Sequence, residues 1–178
     1  TESQFLEEII FTSDNLIVEA EAFAYSAELK SITFKGSVDY IGDYAFSCND
    51  IEYMPQELDT IIFEKNVKHI GKGAFCGAGL SGTLELPSGL QYLGEDAFGD
   101  CVDIETLKIP AGLTDDLDFR GAFYGTNIQN IEVHDDNPKY LVSSDIGGQP
   151  DVLIKNLGND EYEMIMVPYA KDMGTEFI

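Results

Sequence analysis

Few residues in this 178-residue chain could do chemistry, and their spacing fails the chemistry they suggest. Gly77-Ala78-Gly79-Leu80-Ser81-Gly82 fits G-x-G-x-x-G by letter. A dinucleotide cradle needs that pattern between a strand and a helix, so that backbone N–H groups meet the pyrophosphate. Here the glycines lead from a phenylalanine into an apolar segment where Leu80 is a core position, so they read as a turn. Asp115, Asp116 and Asp118 cluster, as do Asp135, Asp136 and Asn137. Calcium needs several oxygens converging at about 2.3–2.6 Å, and neither cluster has the regular D-x-[DN]-x-[DN]-G loop. Cys48, Cys76 and Cys101 form no C-x-x-C, and His69 and His134 are the only histidines, which argues against zinc. Carboxylate pairs such as Glu7-Glu8 follow from an acid-rich surface, and neither histidine has a neighbouring nucleophile signature. The chain reads as a non-enzyme with no catalytic residue, no metal ligand and no cofactor.

The elements that must position every side chain emerge when the chain is aligned with itself. An L-x-x-I-x-F cassette occurs at Leu6, Ile9, Phe11; Leu29, Ile32, Phe34; and Leu58, Ile61, Phe63. It returns at Ile104, Leu107, Ile109, at Ile128, Ile131, Val133, and with one extra residue at Leu80, Leu84, Leu86. Further apolar positions follow at Val38, Val67, Leu90 and Leu113, then Ile41, Ile70 and Leu93, each of these three followed by glycine. Units close on Ala22-Phe23, Ala45-Phe46, Ala74-Phe75, Ala97-Phe98 and Ala122-Phe123, 23 to 29 residues apart. That period belongs to solenoids, whose units cannot enclose a core alone and bury apolar columns against their neighbours. Gly42, Gly71 and Gly94 are expected to give a tight turn or positive φ, and the alanines a close pass by the next coil.

The I-G-x-x-A-F corner followed by L-x-x-I-x-(I/L/F) resembles the BspA-like, treponemal-type leucine-rich repeat over residues 6 to 133. The resemblance implies a right-handed leucine-rich repeat solenoid with short parallel β-strands and few helical turns, over residues 1–134 in five to six units. Strands are expected near 8–12, 31–35, 60–64, 83–87, 106–110 and 130–134, side by side in one parallel sheet. Glu19 in place of glycine, the insertion Glu52 to Glu57, and Asp115 to Phe119 depart from the pattern and should bulge without changing the architecture.

Beyond Val133 the period stops. Short β-like runs at Tyr140 to Val142, Val152 to Ile154 and Glu163 to Val167 are separated by Gly147-Gly148 and Asn156-Leu157-Gly158-Asn159. Residues 135–178 are therefore expected to form a β-hairpin-like cap on the same domain; similar families place N-x-x-Y, a glycine turn and V/I-P there, which Asn137, Tyr140, Gly147 and Val167-Pro168 match. The cysteines fall two, one and three residues after their phenylalanines, in one small-residue region of successive coils. Buried free thiols suit it. So does a disulfide, since neighbouring strands lie about 4.8 Å apart, though an odd count leaves one thiol free.

Asp plus Glu total 33 against 10 Lys plus Arg, a net charge of −23. Phosphate recognition needs clustered cations, so nucleic acid is excluded as a partner, and an anionic membrane surface is disfavoured. No apolar run reaches the roughly 20 residues of a membrane-spanning segment. The chain begins at Thr1 just before a cassette and reads as trimmed or processed, so it says nothing of a leader.

Strand alternation turns the period into a surface map. One outward column holds Glu8, Ser31, Thr60, Thr83, Thr106 and Asn130; a second Ile10, Thr33, Ile62, Glu85, Lys108 and Glu132; a third Thr12, Lys35, Glu64, Pro87, Pro110 and His134. Thr33, Thr60, Ile62, Glu64, Thr83, Glu85, Thr106 and Lys108 form the candidate interaction face. Threonine and serine also simply suit exposed strands. The resemblance implies a protein-interaction module of a bacterial cell-surface or secreted protein, adhering to host or neighbouring-cell proteins. A carbohydrate-binding accessory domain is the second expectation; the chain has no Trp, and Tyr40, Tyr53 and Tyr92 read as scattered.

Overall fold

The structure, a computed structural model, describes residues 6–26, 28–48, 58–113, 117–134, 140–143, 152–158 and 161–166. The cassettes form β1 (Glu8–Phe11), β3 (Ser31–Phe34), β5 (Thr60–Phe63), β7 (Ser81–Glu85), β9 (Asp103–Ile109) and β10 (Asn130–Val133), with cassette strands pairing in parallel from coil to coil. In register, Ile9, Ile32 and Ile61 align, as do Phe11, Phe34 and Phe63. Among the described residues there is no helix. The insertion Glu52 to Glu57 lies outside them, as do Asp115, Asp116, Asp135, Asp136, Asn137, Gly147, Asn159 and Val167-Pro168.

The expected single sheet is in fact two. One ladder runs β1-β3-β5 and a second β7-β9-β10, without a ladder between β5 and β7. The cause is the extra residue between Leu80 and Leu84. Gly82 lies there at φ +65°, β9 bulges at Glu105 where its register with β7 slips between Gly82 and Thr83, and a cleft of about 70 Å³ opens beside Thr60, Ile61 and Thr83. One N–H, that of Ser81, still reaches across to the Asp59 carbonyl, at 3.3 Å.

A second wall continues past this break. β2 (Leu16–Val18), β4 (Val38–Ile41), β6 (His69–Ile70) and β8 (Tyr92–Leu93) form one parallel sheet in that order. The Ala-Phe corners make a third hydrogen-bonded column. Phe23 N–H donates to Ala45 O, Phe46 to Ala74, Phe75 to Ala97 and Phe98 to Ala122, all at 2.8 Å.

Inside the corner, Phe23, Phe46, Phe75, Phe98 and Phe123 stack with centroids 5.2 to 5.5 Å apart and planes within 8°. These are favourable offset-stacking distances, and Phe46, Phe75 and Phe98 are wholly buried.

Gly42, Gly71 and Gly94 do not supply positive φ, contrary to one of the two roles expected of them. They are needed because the preceding coil passes too close for a side chain: a Cβ on Gly71 would stand 2.7 Å from the Asp43 nitrogen, and the others would meet Ala20 and Lys72 backbone. Glu19 fits in the first described coil because no described coil packs against that side. The left-handed turn falls two residues later, at Glu21, Tyr44, Gly73, Asp96 and Gly121.

β11 (Tyr140–Ser143), β12 (Val152–Gly158) and β13 (Glu161–Met166) form an antiparallel sheet in that order. Tyr140 and Leu153 join the solenoid core, and Phe119, standing where earlier coils have glycine, meets the Tyr140 ring edge-on at 5.6 Å.

Candidate interaction surfaces

On the first ladder Glu8, Ser31 and Thr60 align, as do Ile10, Thr33 and Ile62. On the second, Thr83, Thr106 and Asn130 align, as do Glu85, Lys108 and Glu132. Their inward neighbours Ile32, Leu84 and Leu107 are buried, while Ile10 and Ile62 stand 47% exposed. The eight candidate residues are thus split by the ladder break: Thr33, Thr60, Ile62 and Glu64 on one side, Thr83, Glu85, Thr106 and Lys108 on the other. The third outward column fails at Pro87, which is buried, because β7 ends at Glu85 and alternation lapses beyond it.

The two halves differ chemically. The second column of the first ladder is Ile-Thr-Ile; that of the second ladder is Glu-Lys-Glu, with Lys108 Nζ 3.2 Å from Glu132. A cleft of about 290 Å³ opens where these charges meet Ile109, Pro110, Val133 and His134.

The tyrosines are not scattered. Tyr40, His69 and Tyr92 each precede an aligned apolar residue of the second wall, and their rings stack at 4.4 and 4.3 Å. Ile17, in register with Tyr40 and 58% exposed, extends the stripe to a fourth coil. Burial holds His69 below its ordinary pKa, against the opposing pull of Asp43. Tyr53 lies outside the described residues.

Much of the cationic charge ties coils together. Lys65 reaches Asp14 at 2.9 Å, Lys68 reaches Asp39 at 2.7 Å and Lys72 reaches Glu95 at 2.7 Å, while Arg120 holds Asp118 at 2.8 Å. These hydrogen-bonded cations hold Asp14, Glu95 and Asp118 below the usual carboxylate range. Exposed pairs of this kind each contribute little to stability. The remaining acids leave the surface strongly negative.

Cys48, Cys76 and Cys101 stand on neighbouring coils as thiols outside any disulfide. Cys101 donates to Phe75 O at 3.2 Å, and burial pushes its pKa up, which makes it a small core residue without a nucleophile's character. Gly77, at φ +71°, turns the chain after Phe75, and Leu80 is buried, as a turn leading into a core segment requires. No group of three metal-binding side chains forms among the described residues. Nor is any helix of the described residues long and apolar enough to cross a membrane.

Stacked β-coils with two register-fixed outward faces define a solenoid repeat protein. The chain belongs to the BspA-type leucine-rich repeat family: the region described as "BspA type Leucine rich repeat region" matches residues 1–115 and 53–141, in six copies. No curated protein matches it significantly. Among solved structures, a leucine-rich cell surface protein from Faecalibacterium prausnitzii aligns at 18% identity and a TM-score of 0.41, over 91% of this chain and 54% of that one. The chain therefore spans about half of that protein's length.

Proposed function

We propose that this chain is a non-enzymatic protein-interaction module of a bacterial cell-surface or secreted protein, and that it adheres to host or neighbouring-cell proteins through the outward face of its cassette strands. Residues 1–134 present that face and 135–178 close the stack as its cap. The observation that carries the reading is the Ile10-Thr33-Ile62 column: two half-exposed isoleucines held in register on the outward face of one parallel ladder. Repeat proteins bind through extended surfaces of this kind, and a central apolar contact is the part most fully desolvated in a complex. In adhesion assays against immobilised extracellular-matrix proteins and bacterial cells, Ile62→Lys should abolish binding while leaving the melting temperature within about 2 °C, as expected for a surface substitution. Undiminished binding by Ile62→Lys would remove the sheet as the site.

The second reading, a carbohydrate-binding accessory domain, is favoured by the Tyr40–His69–Tyr92 column, which ends in a ring that is 48% exposed. Mutual stacking takes up both faces of His69 and one face each of Tyr40 and Tyr92, which leaves little aromatic surface for a sugar and places this reading second. Glycan retention lost in Tyr92→Ala and kept in Ile62→Lys would reverse the order.

A further inference from the structure

We propose that the cleft at the end of β9 and β10 receives an arginine side chain of a basic partner segment, with Glu85 as its principal anchor; the proposal rests on the protein-interaction reading above and names the chemistry of one contact. Glu85, Lys108 and Glu132 lie in register on three consecutive strands. Lys108 is committed to Glu132 at 3.2 Å, so the triad carries one net negative charge, and that charge resides at Glu85. Beside the triad the cleft measures about 290 Å³, with Ile109, Pro110 and Val133 among its walls. This is just below the roughly 300–1,000 Å³ of sites that enclose whole drug-sized molecules, and it suits one long side chain.

Three properties select arginine. The overall charge of −23 concentrates cations near the surface and repels acidic partners. A guanidinium presents a planar fork that a carboxylate accepts through two parallel hydrogen bonds, which a lysine ammonium cannot reproduce. Its aliphatic stem lies against apolar walls while the charged head reaches a carboxylate, and this cleft has both, with Pro110, Val133 and Glu85 among its lining residues.

The probe is a blocked pentapeptide, acetyl-Gly-Arg-Gly-Arg-Gly-amide, titrated into the 178-residue chain at 150 mM salt and followed by backbone amide shifts, with a lysine-for-arginine peptide as comparison. Shifts should concentrate at Lys108, Ile109, Glu132 and Val133. Glu85→Gln should weaken binding tenfold or more, Glu19→Gln on the second wall less than twofold, and the lysine peptide should bind at least fivefold more weakly. Equal losses from Glu85→Gln and Glu19→Gln, or shifts spread over the whole surface, would reduce the effect to non-specific attraction and overturn the proposal. The two readings fail separately. Adhesion lost in Ile62→Lys with no peptide bound in the cleft would sink only the arginine site. A peptide bound in the cleft while Ile62→Lys leaves adhesion intact would uphold the arginine site and sink only the Ile62-centred face.

Discussion

His69 illustrates how a single residue reports on the stack. Between Tyr40 and Tyr92 its cation is poorly solvated, so the folded chain prefers neutral imidazole and the folded pKa lies below the unfolded one. A base with a depressed folded pKa gives stability that is complete above the unfolded value, about 6.5, and is lost as pH falls through that range. His69→Phe keeps a ring in the column and removes the titration. In urea unfolding the stability of wild type relative to His69→Phe should be constant above about pH 7.5 and fall between pH 7 and 5; a pH-independent difference would mean that His69 is fully solvated. Tyr140 offers a second residue-scale test. Its hydroxyl is buried and has no hydrogen-bond partner among the described residues, and burial raises its pKa. An orphaned buried hydroxyl costs about 1–3 kcal/mol, so Tyr140→Phe should leave stability unchanged or raise it by about 1 kcal/mol, as read by chemical denaturation. A loss of 2 kcal/mol would point to a partner for the hydroxyl. The sequence contained the signal for the aromatic column, because Tyr40, His69 and Tyr92 each stand one place before Ile41, Ile70 and Leu93. An alignment of apolar positions alone passes over it.

At the scale of the element, the cassette strands were legible because a six-residue apolar pattern repeated at one period leaves a single register. The second wall was not legible as strands: β6 and β8 are two residues each, too short for alternation to show. The role of the glycines was only half legible, since a close pass by the neighbouring coil cannot be told from a positive φ without the neighbour. The extra residue between Leu80 and Leu84 was visible, but not its effect, because breaking a ladder depends on what lies alongside. Deleting Gly82 restores the three-residue spacing and should let β7 pair with β5. Amide exchange at Ile61 and Thr83, whose N–H groups face the gap, should then slow by at least tenfold, as protection follows a newly formed ladder. Unchanged exchange in the shortened chain would show that something other than the extra residue separates the ladders.

For the whole molecule, each coil divides between an inside that holds the stack and an outside that faces solvent. Phe75 lies in the middle of the phenylalanine column, stacked on Phe46 and Phe98 and wholly buried, whereas Ile62 is half exposed on a strand of the same coil. Emptying a core aromatic site costs about 3–5 kcal/mol, because transfer energy and a cavity add, while a surface substitution stays within about 0.5 kcal/mol. Fold and family were readable from the sequence at this scale, since five Ala-Phe corners fix the repeat. The division of the face into an apolar and a charged half needed the coordinates. The most direct test is equilibrium urea unfolding of Phe75→Ala and Ile62→Lys beside the parent chain. Phe75→Ala should lose about 3–5 kcal/mol and Ile62→Lys less than about 0.5 kcal/mol. Equal losses, or the larger loss from Ile62→Lys, would contradict the assignment of inside and outside on which every surface proposal here depends.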